Sequence, residues 1–469
     1  MSQTAPTATK QHGATSVRGR VMSPAMVGLG SGFFMIILDT TIVNVALPAL
    51  RTDLNATVAG LQWVVDGYLL MLAALLLSGG ALADRWGARR IFQLGLGLFV
   101  IASVVCGLAP NTVVLVTARL IQGVGAALAV PASLALVRIT YPEPAVRARA
   151  IGVWSGIAGA AAAAGPILGG VLVTADSWRL VFFVNVPIGL AAMALTARYV
   201  PVPPARPHPL DPAGQATAVL ALAALTVALI EGGHRGFSPL VISAVVIFII
   251  AVAAFLATER AVRVPMLPLD LFRISTFSGG NAVGLLINLG FYGELFVLNL
   301  YFQQVLHYSP LLAGLALLPQ MGTASLAALL SGWFTSRAGS PRTTMLIGLV
   351  LGGGGLLGLI TVGTHTHYAL LIVPLLAAGF GMSFTMPAAT IAVVDAAPGD
   401  RAGLASGVIN SARQLGSVIG VALFGALVTA SGAFIPGLRI ALTIAGAAFI
   451  AGAILTVFTV PTPRPQHNQ

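Results

Sequence analysis

The sequence predicts an all-α polytopic membrane protein: two related six-helix bundles laid down in the same direction, with two further helices inserted between them. Three observations carry this reading. Charged residues make up 8% of the 469 positions and apolar ones 57%, whereas a soluble globular chain carries roughly 25% charged residues. Such a composition cannot cover a water-facing surface. Apolar runs of about 20 residues, the length that crosses a bilayer, recur along the whole chain. Finally, the basic turn Gly80-Ala-Leu-Ala-Asp84-Arg85-Trp86-Gly87-Ala-Arg89-Arg90 returns in worn form 252 positions later, as Gly332-Trp333-Phe-Thr-Ser336-Arg337-Ala-Gly339-Ser-Pro-Arg342.

The fourteen spans fall at 24–48, 58–79, 91–110, 112–138, 150–174, 180–200, 213–231, 238–258, 277–304, 312–334, 343–362, 368–394, 404–430 and 437–460. Proline and glycine interrupt many of them, which lipid tolerates because neighbouring helices satisfy the freed backbone groups. The first run is too long for a signal-peptide core of ~7–15 residues, and no small-residue cleavage site follows it. The repeated turn comes after span two and again after span ten. Six spans therefore form each half, and spans seven and eight are an insert, read as a lipid-facing spacer. The expected layout is a tail (1–23), a first bundle (24–200), a linker and insert (201–273), a second bundle (274–460) and a tail (461–469). Pro201 to Pro209 reads as a semi-rigid linker.

An even number of spans puts both ends on one side. Of the 24 lysines and arginines, eighteen fall on the side of the tails and four opposite, with Arg119 and Arg413 in or near spans. The positive-inside rule makes that side cytoplasmic. The net charge of +11 is thus spread over short loops and forms no basic domain, which argues against nucleic acid. Arg413 reads as an interfacial or structural arginine near the cytoplasmic end of span thirteen.

Several activities are excluded by missing residues. Lys10 is the single lysine and lies in the tail, so no Walker A phosphate loop exists. Cys106 is the single cysteine, so neither a disulfide framework nor a zinc knuckle is available. There is no Gly-x-Ser-x-Gly and no His-Glu-x-x-His, and the seven histidines sit in tails, loops or span ends. The expectation is a chain that is not an enzyme and needs no metal or organic cofactor.

Four ionisable residues fall within spans: Asp39, Asp66, Arg119 and Glu294. Each costs about 2.5–3.5 kcal/mol at mid-membrane on insertion scales and is by default a functional candidate. At 1.5 Å per residue all four lie at similar depth, so one cavity is able to hold them. Arg119 pairs with Asp39 or with Asp66, either as a static pair or as a pair that separates during turnover. Burial favours the neutral acid and a nearby arginine favours the carboxylate, so separation changes proton affinity. Glu294, alone in the second half, is either a second proton site or a permanently protonated acid.

The run Leu38-Asp39-Thr40-Thr41-Ile42-Val43-Asn44-Val45-Ala46-Leu47-Pro48 resembles the first-span signature of fourteen-span drug:proton antiporters in the major facilitator superfamily. Trp63-Val-Val-Asp66-Gly67-Tyr68 resembles their second-span signature in the variant with an acid. Gly80 to Arg90 is similar to the superfamily's loop motif, and Arg119-Leu-Ile-Gln122-Gly123-Val-Gly125 to the fourth-span motif. Gly156-Ile-Ala-Gly159 and Gly165-Pro166-Ile-Leu-Gly169-Gly170 resemble the fifth-span antiporter motif. Ser406-Gly407, Asn410, Arg413-Gln414 and Gly416 resemble a late segment of this branch. The run Ala228 to Phe237, with Asp66, is most similar to actinomycete antibiotic exporters of the methylenomycin A resistance type.

That resemblance implies the major facilitator fold and a multi-pass protein of the inner membrane. It implies proton-coupled export of an amphiphilic drug or antibiotic, with the proton gradient as energy source and a single chain as the working unit. The alternative is export or symport of an endogenous metabolite. Asp39, Asp66, Arg119 and Glu294 would couple the proton. Gly80, Asp84, Arg85, Gly87, Arg89 and Arg90 would form a conformational latch, weak in the second copy where Ser336 replaces the acid. Gly156, Gly165, Pro166, Gly169 and Gly170 would govern the antiport cycle. Asn44, Gln122, Asn288, Tyr292, Met382, Phe384 and Met386 are the candidates for the substrate cavity.

Overall fold

Helix ends in this chain are written in its water-facing turns. In the computed structural model, Ser23, Thr57, Asn111, Asp211, Ser238 and Ser309 each turn a side-chain oxygen onto a backbone N–H of the first helical turn. Such caps satisfy donors that a helix start leaves free. Prolines 24, 212, 239, 310 and 341 occupy first-turn positions, where a missing N–H costs nothing. The structure describes residues 23–175, 177–202, 211–262, 267, 269–338, 340–398, 401–430 and 433–461. The predicted tails, apart from Ser23 and Pro461, and most of the proline-rich linker lie outside the described residues.

The first six helices are α1 (Pro24–Asp53), α2 (Val58–Trp86), α3 (Ala88–Gly107), α4 (Thr112–Thr140), α5 (Pro144–Ala175) and α6 (Leu180–Tyr199). Next come α7 (Pro212–Arg235) and α8 (Pro239–Ala261), then α9 (Ser275–Leu300), which runs on into a wider turn, Tyr301–Val305. Helix α10 is broken: Pro310–Ala316 and Leu318–Ala338 meet at a 40° bend. The last four are α11 (Pro341–Gly358), α12 (Ala369–Ala396), α13 (Ala402–Ala430) and α14 (Phe434–Thr459). Thirteen helices are long and apolar enough to span a bilayer, and the bent pair makes a fourteenth. Among the described residues there is no strand.

Successive helices run in opposite senses, so the described chain ends, Ser23 and Pro461, lie on one side, here the termini face. The first bundle is built on α1 against α5 and α6 and on α4 against α2 and α3. The second is built on α9 against α13 and α14 and on α12 against α10 and α11. The halves meet where α2 packs on α13 and α5 on α10, with a slighter contact of α1 with α9.

The insert is not a uniform spacer. Among the described residues, helix α8 packs chiefly on α7, with 17% of its apolar window buried and a mean hydropathy of 3.1. It is the lipid-facing element expected from sequence. Helix α7 lies against both α2 and α13, beside the seam between the halves. Gln215 of α7 donates to the Ala74 carbonyl at 2.7 Å and bonds to Ser78, while Gly233 packs on Ala426. A helix whose charges lie only at its end suits lipid and a helix seam equally well, so composition alone does not distinguish the two places.

Candidate functional site

Asp39 is the hub of a polar knot inside the first bundle. It is fully buried on α1, and Arg119 of α4, 1% exposed, donates Nη1 to its Oδ2. Its other oxygen accepts from Gln122 Nε2 at 3.0 Å and from Asn185 Nδ2 of α6 at 2.9 Å. Gln122 also donates to Ser103 Oγ of α3 at 2.8 Å, and its carbonyl accepts from Arg119 Nη1 at 2.7 Å. Arg119 Nε donates to the Val64 carbonyl of α2 at 2.9 Å, and its guanidinium lies 4.4 Å from the centre of the Tyr68 ring. The knot therefore ties helices α1, α2, α3, α4 and α6. A buried ion pair is favourable only when its remaining donors and acceptors are also satisfied; here both oxygens of Asp39 and the Nε and Nη1 of Arg119 are bonded, while Asn185 Oδ1 has no partner. Of the two acids open to Arg119 on sequence grounds, the structure selects Asp39.

Asp66 is the opposite case. It is fully buried on α2, yet neither carboxyl oxygen has a hydrogen-bond partner. One turn before it, Gln62 donates to the Ala422 carbonyl of α13 at 2.8 Å. Residues four apart share a helix face, so Asp66 lies toward the α2–α13 seam and not with Asp39. Glu294, also fully buried, accepts from Gln320 of α10 at 2.7 Å through one oxygen, and its other oxygen has no partner. The four charges thus form one pair and two separate acids.

The fifth-span glycines are sites of close approach. A Cβ on Gly165 would collide with the Thr41 side chain, one on Gly169 would lie 2.8 Å from the Ile42 carbonyl, and one on Gly170 would lie 2.6 Å from Leu311 Cα. Helix α5 is thereby pressed between α1 and the short arm of α10, with the Pro166 carbonyl against Gly314. Gly156 faces open space. The loop after α2 turns at Gly87, whose φ of +93° favours glycine. Arg89 bonds to the Ala197 carbonyl at the end of α6. Asp84, Arg85 and Arg90 are exposed, and Gly80 packs loosely toward Pro131. Asp84 has no ion-pair partner among the described residues. The side chain of Ser336 lies outside the described residues.

Of the cavity candidates, Gln122 belongs to the Asp39 knot. Asn44 and Asn288 are buried and bond back to their own helices, at the Thr40 and Gly284 carbonyls. Met382, Phe384 and Met386 are buried on α12, with Phe384 stacked on Phe380. Tyr292 is half-buried on α9. Sequence reasoning missed Ser103, Asn185, Gln62 and Gln320; each is a lone polar residue in an apolar run, which was the available signal. Of the two readings of Arg413, interfacial or structural, its place eleven residues into α13, about 17 Å from the helix start, speaks against the interfacial one.

The halves are joined mainly away from the termini face. Arg51 bonds to Gln304 at 3.1 Å, Gln303 to the Val45 carbonyl at 3.1 Å and Gln62 to Ala422. Midway, Ser325 bonds to the Gly159 carbonyl at 3.2 Å. Among the described residues, no side-chain hydrogen bond joins the two bundles directly nearer the termini face than this one. On the opposite face these side chains bridge the two halves.

The sequence matches the Major Facilitator Superfamily over residues 29–318 and again over 280–469. It is 37% identical to a methylenomycin A resistance protein of Streptomyces coelicolor, over 92% of this chain and 90% of that one. It is 38% identical to the multidrug resistance protein Stp of Mycobacterium tuberculosis, over 86% and 75% respectively. A solved bacterial homologue of the human lysosomal transporter Spinster, in an inward-facing and unoccupied conformation, superposes with a TM-score of 0.67 at 17% identity, covering 95% of this chain and 98% of that one.

Proposed function

The chain belongs to the Major Facilitator Superfamily, and from that membership we propose that it exports an amphiphilic drug or antibiotic in exchange for inward-moving protons. The names of its relatives, resistance and multidrug resistance proteins, support the cargo class. The observation that carries the coupling is Asp66: a carboxyl group closed into the seam between the halves with neither oxygen bonded. A buried polar group without a partner costs free energy, and a buried ion far more, so such a group is held neutral.

The cycle follows from the seam. With the opposite face bridged, Asp66 is sealed and carries a proton. Entry of cargo from the termini face releases that proton to the same side. Tilting of the halves then breaks the Gln62 bonds to α13 and opens the opposite face, where cargo leaves and Asp66 takes up a new proton before the seam closes, so that one proton moves inward for each cargo exported. An inward proton releases about 2.3 kcal/mol per 100 mV of membrane potential. The Asp39–Arg119 knot keeps the first bundle rigid while it tilts. Glu294 is a second titratable group, already held on one side by Gln320. Asp84, exposed here, is free to latch the termini face when that face closes.

The charge bias of the loops supports cytoplasmic ends and a place in the inner membrane. The working unit is one chain, without enzyme activity and without a cofactor beyond the proton gradient. Everted membrane vesicles containing the protein test the reading. Energised vesicles, acid inside, should accumulate the cationic dye rhodamine 6G and release it when an uncoupler is added. Accumulation that survives the uncoupler, or that needs the reverse gradient, overturns proton antiport.

A further inference from the structure

Arg413 carries a charge for which the described chain offers no counter-ion. Its Nη1 donates to Asn410 Oδ1 at 3.1 Å, while its Nε is buried with no partner. A guanidinium has five N–H donors, and this one spends one of them in a hydrogen bond. The ion pairs seen in the structure include Arg119–Asp39, Arg179–Asp53 and Arg401–Asp270. None involves Arg413.

Its position is as telling. Arg413 is about 17 Å into the bundle, yet it is only half-buried, as are Asn410 on the same helix and Tyr292 on α9. The stem of Arg413 rests on Gly284 of α9, where an added Cβ would lie 3.4 Å from Arg413 Cγ. Helices α9 and α13 are packed on one another and flanked by α2, α7, α12 and α14. Exposure at that depth therefore faces the space between the halves and not lipid. Tyr292 stands eight residues, about two turns, beyond Gly284 on α9. The guanidinium thus stands at the wall of the space that a cargo crosses.

We propose that Arg413, with Asn410 and Tyr292, forms a subsite in the second half that takes the carboxylate of an acidic cargo. A guanidinium presents two parallel N–H groups to a carboxylate, and the edge formed by the two terminal nitrogens is the one left to do so, since Nε is buried. Asn410 steadies Nη1, and the Tyr292 ring supplies an apolar wall. The subsite rests on the transport reading above and narrows it: the cargoes bound best carry an ionised acid on an apolar body.

Binding to the purified full-length protein in detergent, without any gradient, tests this separately from transport. The probes are two dyes of one xanthene skeleton, fluorescein with its carboxylate and cationic rhodamine 6G, followed by fluorescence anisotropy. Wild type should bind fluorescein. Arg413→Gln should weaken that binding about 10- to 100-fold, the range of a charged hydrogen bond, and leave rhodamine 6G binding in place. Arg413→Lys, which keeps the charge and loses the fork, should fall between. No fluorescein binding by wild type, no change in Arg413→Gln, or an equal loss of both dyes overturns the subsite; equal loss would mean that Arg413 braces the bundle. If Arg413→Gln is not recovered as a monodisperse protein, Arg413→Lys decides on the same terms, selective weakening supporting the subsite and any other pattern overturning it. Proton-driven rhodamine 6G uptake in vesicles judges the transport reading independently of all these outcomes.

Discussion

Asp39 and Asp66 lie on neighbouring helices of the same bundle, and both are fully buried. Asp39 accepts from Arg119, Gln122 and Asn185, whereas Asp66 accepts from nothing. The first is enclosed by five helices of one half, and the second lies toward the other half across a seam. A carboxylate saturated by donors from its own bundle has no reason to release its partners when the halves tilt. A carboxyl group on the moving boundary changes surroundings by necessity. Two residues that look equivalent in a membrane-spanning sequence are thus given different work by what packs around them.

The largest effect expected from this contrast comes from Arg119→Ala. It leaves Asp39 buried without its cation, and breaking a buried pair by removing one partner costs about 3–5 kcal/mol. Thermal unfolding in detergent should show a large fall in the transition temperature, with transport lost alongside. A mild effect would mean that the knot is not what holds the first bundle. Asp66→Asn should do the reverse. The amide has nearly the same shape and no ion pair to lose, so the protein should fold and unfold like wild type and still bind dye. Gradient-driven uptake in everted vesicles should fall to the level of vesicles lacking the protein. Full uptake by Asp66→Asn would move the proton to Glu294 or back to Asp39.

How far the sequence reaches is visible in these same residues. The fourteen spans were legible because a bilayer imposes length and composition on every helix. The candidate charges were legible because lipid makes each one costly. Their sorting was not. Asp39, Asp66 and Arg119 sit at similar depth, and only the rotation of α2 relative to α1 and α4 decides which acid meets the arginine. Asn185 and Ser103 complete the knot from α6 and α3, far away in sequence and with no motif to announce them. The predicted span 404–430 already puts Arg413 nine residues in, close to the eleven observed; what the sequence left open was what its side chain packs against, the Gly284 face of α9. Helix α7 reads as lipid-facing because its charged residues fall only at its end, which leaves its partner undetermined; Gln215 is the polar residue that bonds across to α2.

A smaller effect is expected at the edge of the seam. Gln62 holds α2 to the Ala422 carbonyl, a bond worth about 0.5–1.5 kcal/mol net. Gln62→Ala should therefore shift the equilibrium toward conformations open at the opposite face without unfolding either bundle. A cysteine placed at Val421 in a Cys106→Ser background should then react faster with a membrane-impermeant maleimide added on that face. Unchanged labelling would show that α5 and α10 alone, through Gly170 and Leu311, keep the face shut.

The smallest effect, on stability, is expected at Asp84. This residue is exposed at the end of α2 and has no ion-pair partner among the described residues, so Asp84→Asn removes nothing that stabilises this conformation. Exposed substitutions of this kind usually stay within about 0.5 kcal/mol, and the unfolding transition should coincide with that of wild type. The consequence should lie in the other conformation, where the latch reading gives Asp84 a partner on the closing termini face. Losing that partner biases the two-state equilibrium toward the present conformation. Dye uptake should slow while dye binding in detergent holds, and the Val421 cysteine should label more slowly than in the parent, the opposite sign to Gln62→Ala. If Asp84→Asn instead melts early, the acid already has structural work in this conformation, and the division between a rigid knot and a mobile boundary has to be redrawn to include the loop at Gly87.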